Sequence, residues 1–257
     1  MLPTTASGNS IEGKDGGADY FAGDKVWLYA TILTVGYVHL ATDARRGGHP
    51  TWRGLLHAYA FWCALASAIC LMAVAPSPQA RVASGIYGAG LCALFAISGL
   101  YHRWRWNPRW RPLLRRVDHS TIFIFIAASY TPVALLVLSG TVQMVVLISI
   151  WAGALGGVAM SVAWITAPRA LVAACYLALG WVSIVAMPQM ASKLGVAPFV
   201  LFAAGGLIYT VGALVYAFRR PNPWPRTFGF HEVFHALVIA AAAVHFVAMA
   251  GWVIPAG

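Results

Sequence analysis

The chain has 257 residues, of which 60% are hydrophobic and 9% charged, and its formal net charge is +10. A chain this apolar, with apolar runs near 20 residues recurring along most of it, has a bilayer rather than water as its solvent. The positive balance does not mark a nucleic-acid protein, because the basic residues follow the short loops between the apolar runs instead of forming one binding face.

Residues 1–24 are polar and Gly-rich, hold Glu12, Asp15, Asp19 and Asp24, and lack the basic start and small-residue cleavage site of a signal peptide. They are expected to form a disordered tail. Within the following segment, 25–54, residues 26–42 are just long enough to cross a membrane, but their Thr, Tyr and His suit a helix lying in the interface, which is the preferred reading. Seven apolar runs follow, at about 55–75, 83–102, 119–139, 142–164, 170–188, 198–218 and 233–253. Barrel strands would alternate in polarity, and these runs are apolar all round. The expected fold is all-α: a seven-transmembrane-helix bundle over residues 55–257. Pro132 is expected to kink the third helix and help open a cavity.

With the tail inside, every basic residue except Arg81 and Lys193 falls on the cytoplasmic side, an N-inside, C-outside arrangement. Were residues 26–42 to span, the core would keep that orientation. The four cysteines, Cys63, Cys70, Cys92 and Cys175, lie within the predicted spans and read as small buried apolar residues. No internal repeat supports an inverted-repeat transporter. The run Arg103-Trp-Arg-Trp-Asn-Pro-Arg-Trp-Arg-Pro112 alternates cationic and aromatic side chains. Beside a membrane helix it reads as an anchor to anionic lipid rather than as an RNA tract.

Only two acidic residues follow residue 43, Asp118 and Glu232, and each adjoins histidine. Ionisable groups within a membrane segment are expensive and are read as functional by default. This orientation puts His102 at the end of the second helix, Asp118 at the start of the third, and His231 and His235 at the start of the seventh, all at one depth. Ser98 lies one turn from His102 on the same face. His231 and His235 are four residues apart, so both imidazoles face one way and can grip one metal ion. With His102 they make three neutral nitrogen ligands, and zinc with three protein ligands keeps an open position for water. Asp118 has two readings, an ion pair with an arginine of the 103–116 loop or a general base beside the metal site. His119 points about 100° away from Asp118 around a helix and is read as interfacial.

Residues 231–235 also spell HExxH, which in a zincin would make Glu232 the general base. Here the motif opens a helix at the membrane edge, the best third ligand sits on another helix, and no Asn-Pro-Asp-Gly partner motif is present. Glu232 is therefore expected to complement the helix dipole, with a place beside the metal site as the alternative.

Ser98-Gly-Leu-Tyr-His102, Val117-Asp118-His119-Ser120 with Ser129-Tyr-Thr-Pro132, and His231-Glu-Val-Phe-His235 with Val244-His245-Phe246 resemble the hemolysin III family. That family is the bacterial branch related to the progestin and adipoQ receptors, which include the adiponectin receptors. The likeness covers roughly residues 50–253 and implies a seven-helix bundle of the bacterial inner membrane with zinc near its cytoplasmic side. It also implies His102, His231 and His235 as ligands, Asp118 near the zinc-bound water, and Ser98 at the family's serine position. Many members open the first helix with an acidic pair, Asn and then His. Here the stretch reads His49-Pro-Thr-Trp-Arg53-Gly-Leu-Leu-His57, so His57 stands in the histidine place without the acids. His57 is expected either beside the ligands or as a satisfied buried histidine. His245 lies about 21 Å beyond His231 along the helix, too far to share the ion, and is expected as a hydrogen-bonded core histidine or part of a cavity wall.

The leading expectation is a metallohydrolase of a lipid amide or ester, ceramide-like by analogy with the wider family, with Asp118 taking the proton and Ser98 positioning water or oxyanion. The rival is a non-enzymatic receptor or sensor, or a pore-forming cytolysin, with structural zinc. The spans lack the polar stripe of a wide aqueous pore. Nothing in the sequence signals an oligomeric state.

Overall fold

The computed structural model describes residues 50–257, so the expectations for the 1–24 tail and for residues 26–42 lie outside the described residues. Among the described residues the structure is helical, with one isolated bridge between Trp224 and Phe228. The helices are α1 (Leu55–Val74), α2 (Pro78–Arg103), α3 (Arg111–Leu136), α4 (Gly140–Ala163), α5 (Arg169–Gly180), α6 (Ser183–Leu194), α7 (Val196–Phe218) and α8 (Phe230–Ala248). Helices α5 and α6 form one span, and α8 runs on through a wider turn at Met249–Val253. Among the described residues this gives 7 spans long and apolar enough to cross a membrane, as the apolar runs predict. Each span packs on the next, and α8 returns to α1, closing a ring.

The departures from the predicted limits have local causes. α2 begins ahead of its most apolar stretch because Ser77 caps it, accepting from the Ala80 N–H at 3.1 Å, with Pro78 in the first turn. α3 starts at Arg111, its first turns being too charged to register as an apolar run. The fifth span breaks at Trp181–Val182, where hydrocarbon would leave backbone groups unsatisfied. Tyr130 of α3 closes that gap: its hydroxyl donates to the Gly180 carbonyl and accepts from the Ser183 N–H.

Burial is sorted for a lipid solvent. Trp62, Ile69, Ile148, Leu155 and Leu207 face outward, while Ser84, Thr121, Thr131, Asp118, His57, His231 and His235 are inside. Cys63 and Cys70 correct the sequence reading: they lie on the outer face of α1, where a thiol behaves as one more apolar group.

Lipid tails are as apolar as leucine, so close van der Waals packing rather than hydrophobic burial holds such helices together, and small residues permit it. A Cβ on Gly88 would stand 2.6 Å from the Ala68 Cβ on α1, and one on Gly90 2.6 Å from the Ala128 Cβ on α3. At Gly157 of α4 it would meet the Phe123 ring at 2.3 Å, and Phe123 is buried. Gly157→Leu is expected to destabilise the bundle by about 1–3 kcal/mol through overpacking. Gly156→Leu, with nothing within 4 Å, should be near neutral. Thermal unfolding of both variants in detergent checks this.

Candidate metal centre

The site forms where α2 ends and α3 and α8 begin. The first turn of α8 carries N–H groups with no partner in the helix itself. Glu232 Oε2 accepts from the Gly229 N–H at 2.9 Å, and Asn222 Oδ1 accepts from the Phe230 N–H at 3.0 Å. These caps fix where the helix starts, and the one-turn spacing then sends His231 and His235 inward together, both buried.

His102, in the last turn of α2, meets them. Its Nε2 lies 3.2 Å from His231 Nε2, and one donor atom from each of the three rings lies within 4.8 Å of the others. The ring centroids are 4.4 Å apart for His231 and His235 and 5.1 Å for His102 and His235. Two imidazole nitrogens facing each other at this distance must share a proton or a cation. The donor set fits a metal ion, and imidazole suits zinc among others.

Asp118 is buried, with Oδ2 3.8 Å from His102 Nε2 and 3.5 Å from His119 Nδ1. Both carboxylate neighbours are therefore histidines of the site. The interfacial reading of His119 is corrected here. It turns into the cluster, and its Nε2 lies 3.4 Å from the Tyr216 hydroxyl. The helix rotation between residues 118 and 119 separates the two Cβ atoms but not two ring-sized reaches. Ser98 is buried and lines the same cavity.

His57 of α1 stacks on His235, with centroids 3.9 Å apart and planes 5° from parallel. Neither of its ring nitrogens has a hydrogen-bond partner, so it is placed beside the ligands rather than satisfied elsewhere. Glu232 caps α8 through Oε2, and its Oε1 lies 3.8 Å from Arg53 Nη1. Burial draws the pKa of Arg53 below its ordinary value, and Glu232 opposes that shift. Arg53 Nε also donates to His102 Nδ1 at 3.4 Å, a long bond. When Nε2 serves as a metal ligand the neutral ring carries its proton on Nδ1, so Arg53 must release this contact.

Gly54 makes room for all of this. Its φ is +70°, and an added Cβ would lie 2.7 Å from the His102 Cβ. Only glycine combines that left-handed turn with so close an approach. Sequence reasoning missed Gly54, Arg53 and Tyr216, whose signals are only their nearness to span ends.

Above the cluster lies an apolar cavity with about 1580 Å³ of empty space, part of it open to the surroundings. Its wall includes Leu94, Phe125, Val133, Met190 and Val238. On α8 it runs from His231 to His245, about 21 Å at 1.5 Å per residue. His245 is a wall residue, its Nε2 lying 3.1 Å from the Phe202 carbonyl oxygen.

Seven apolar spans around a cavity with three histidines and a carboxylate at one end define a polytopic membrane protein with a candidate metal centre. The chain belongs to the Haemolysin-III related family, whose profile matches residues 48–246. It is 31% identical over 177 residues to Hemolysin-3 of Bacillus cereus, covering 69% of this chain and 78% of that protein. It is 28% identical over 200 residues to the human Monocyte to macrophage differentiation factor, covering 75% and 79%. A 46-residue stretch, 16% of this chain and 10% of its relative, is 52% identical to the Drosophila melanogaster Adiponectin receptor protein.

Glu232→Gln keeps an oxygen that can accept from the Gly229 N–H but removes the charge facing Arg53, and is expected to cost about 1–3 kcal/mol while leaving any bound metal at wild-type stoichiometry. Thermal unfolding and elemental analysis check both halves. Loss of metal would place Glu232 among the ligands instead.

Proposed function

We propose that this protein is a zinc-dependent hydrolase of a lipid amide or ester, ceramide-like in class, seated in the bacterial plasma membrane with its site at the cytoplasmic leaflet. The observation that carries this reading is a cluster of three histidines beside one carboxylate at the polar end of a long apolar cavity. A structural ion would need neither the adjoining carboxylate nor the cavity. The clustering of basic residues on the tail side of the spans supports the orientation.

His102, His231 and His235 would hold the ion. When bound, zinc supplies Lewis acidity and brings the pKa of a coordinated water to about 7. The chain's own residues do the rest. The Asp118 carboxylate accepts the proton of the attacking water and returns it to the leaving amine or alcohol. The Ser98 hydroxyl donates to the developing oxyanion. His57, stacked on His235, holds that ring in place, and His119 orients Asp118. The cavity wall takes the apolar chain and excludes water beside it. The Arg103–Pro112 run anchors this end to anionic lipid, its Trp104 and Trp110 being exposed.

Asp118→Asn should retain metal but lower turnover by about 10²–10⁴-fold, whereas His235→Ala should lose both metal and turnover. The measurement is elemental analysis of the purified protein alongside a screen of lipid amides and esters. Wild-type protein that turns over none of them, or His235→Ala that keeps wild-type turnover, sinks the hydrolase reading.

The name Hemolysin-3 borne by the Bacillus cereus relative favours a second reading, a cytolysin. Planar-bilayer conductance that survives His235→Ala would favour it. Chelation that unfolds the bundle, rather than only abolishing turnover, would assign the metal a structural role.

A further inference from the structure

We propose a second binding site, separate from the histidine cluster, that takes the phosphate of an anionic phospholipid in a small cleft between α3, α4, α5 and α7. Its wall includes Arg115 and Arg116 of α3, Ser161 near the end of α4, Trp164, Arg169 at the start of α5, and Tyr216 of α7.

Three arginines line this one cleft, and like charges gathered there repel one another unless an anion joins them. The described part of the chain has little to offer as that anion. Its side-chain carboxylates are Asp118 and Glu232 alone, one set against His102 and His119 and the other against Arg53. The Nε of Arg116 is buried and has no hydrogen-bond partner, the state in which a charged donor is costly. Arg169 is the first residue of α5, whose N-cap, Pro168, offers no side-chain cap. The uncapped N–H groups and the positive end of the helix dipole thus lie at the same cleft as the arginines. The Arg169 guanidinium stands over the Tyr216 ring, 5.8 Å from its centroid, which limits where its fork can point. A phosphate oxyanion matches this donor set, since arginine forks bind it through paired N–H bonds.

The surroundings favour a lipid over free phosphate as its source. Val162 and Trp164 are exposed at the end of an apolar span, the depth at which tryptophan and phospholipid headgroups meet. Basic pockets between transmembrane helices are general receptors for anionic headgroups. The cleft shares His119 and Tyr216 with the main cavity, so the headgroup would sit behind the wall that supports Asp118.

The test uses the full chain in an uncharged detergent and native mass spectrometry. It measures retention of dioleoylphosphatidylglycerol, of dioleoylphosphatidylcholine, and of the first in competition with inorganic phosphate. Arg116→Gln with Arg169→Gln should lower phosphatidylglycerol retention about tenfold or more. Arg220→Gln with Arg226→Gln, which removes the same charge from exposed positions outside both the cleft and the Arg103–Pro112 run, should change it less than about twofold. Should the first pair fail to fold, Arg116→Lys, which keeps the charge and loses the fork, should still weaken retention. Equal losses in both double variants would reduce the cleft to diffuse surface charge and overturn the site. Equal retention of the two lipids overturns the preference for an anionic headgroup. Binding of inorganic phosphate with no lipid retained overturns the lipid source.

Discussion

The cost of a charge in hydrocarbon governs how this molecule is built. Among the described residues, seven spans have outer faces given over to aromatic and aliphatic side chains, and both carboxylates lie inside against basic or imidazole groups. The two carboxylates of the described chain show the two available solutions. Glu232 is consumed by structure, capping α8 and pairing with Arg53. Asp118 is set among histidines at the end of a cavity, where its lone pairs face chemistry rather than backbone. A residue's role here follows from what satisfies it.

Helix ends carry most of the consequences. The start of α8 is fixed by Glu232 and Asn222, so the caps set the rotation that aims His231 and His235 at His102. Gly54 lets the start of α1 press against the end of α2, bringing His57 onto His235. The Tyr130 hydroxyl allows the fifth span to break beside the same cavity. Each device lies where a helix starts, stops or is interrupted, because those are the places in a bilayer where backbone groups lack partners of their own.

Much of this was legible from the residues. Long runs of apolar side chains announce spans with little ambiguity, because a bilayer's thickness sets their length. The three histidines could be brought together on paper because topology places span ends at a common depth and a four-residue spacing places side chains on a common face. His119, Tyr216 and Arg53 could not be read so. Depth says that a residue is near the site, but not which way its ring turns or what lies across from it. Cys63 and Cys70 illustrate the same limit, since an apolar residue on an apolar helix suits either the lipid or the core.

The sequence by itself determined the solvent, the seven spans found among the described residues, and the pairing of rare polar residues into one candidate centre, because composition and periodicity act along a single helix and need no partner. Tertiary structure decided between the two readings of Asp118, setting its carboxylate against His102 and His119. It also decided that α1 delivers a fourth imidazole, and that three arginines from two helices share one cleft. Those outcomes depend on distances between helices, and such distances are set by the small residues and close contacts that let one span lie against another.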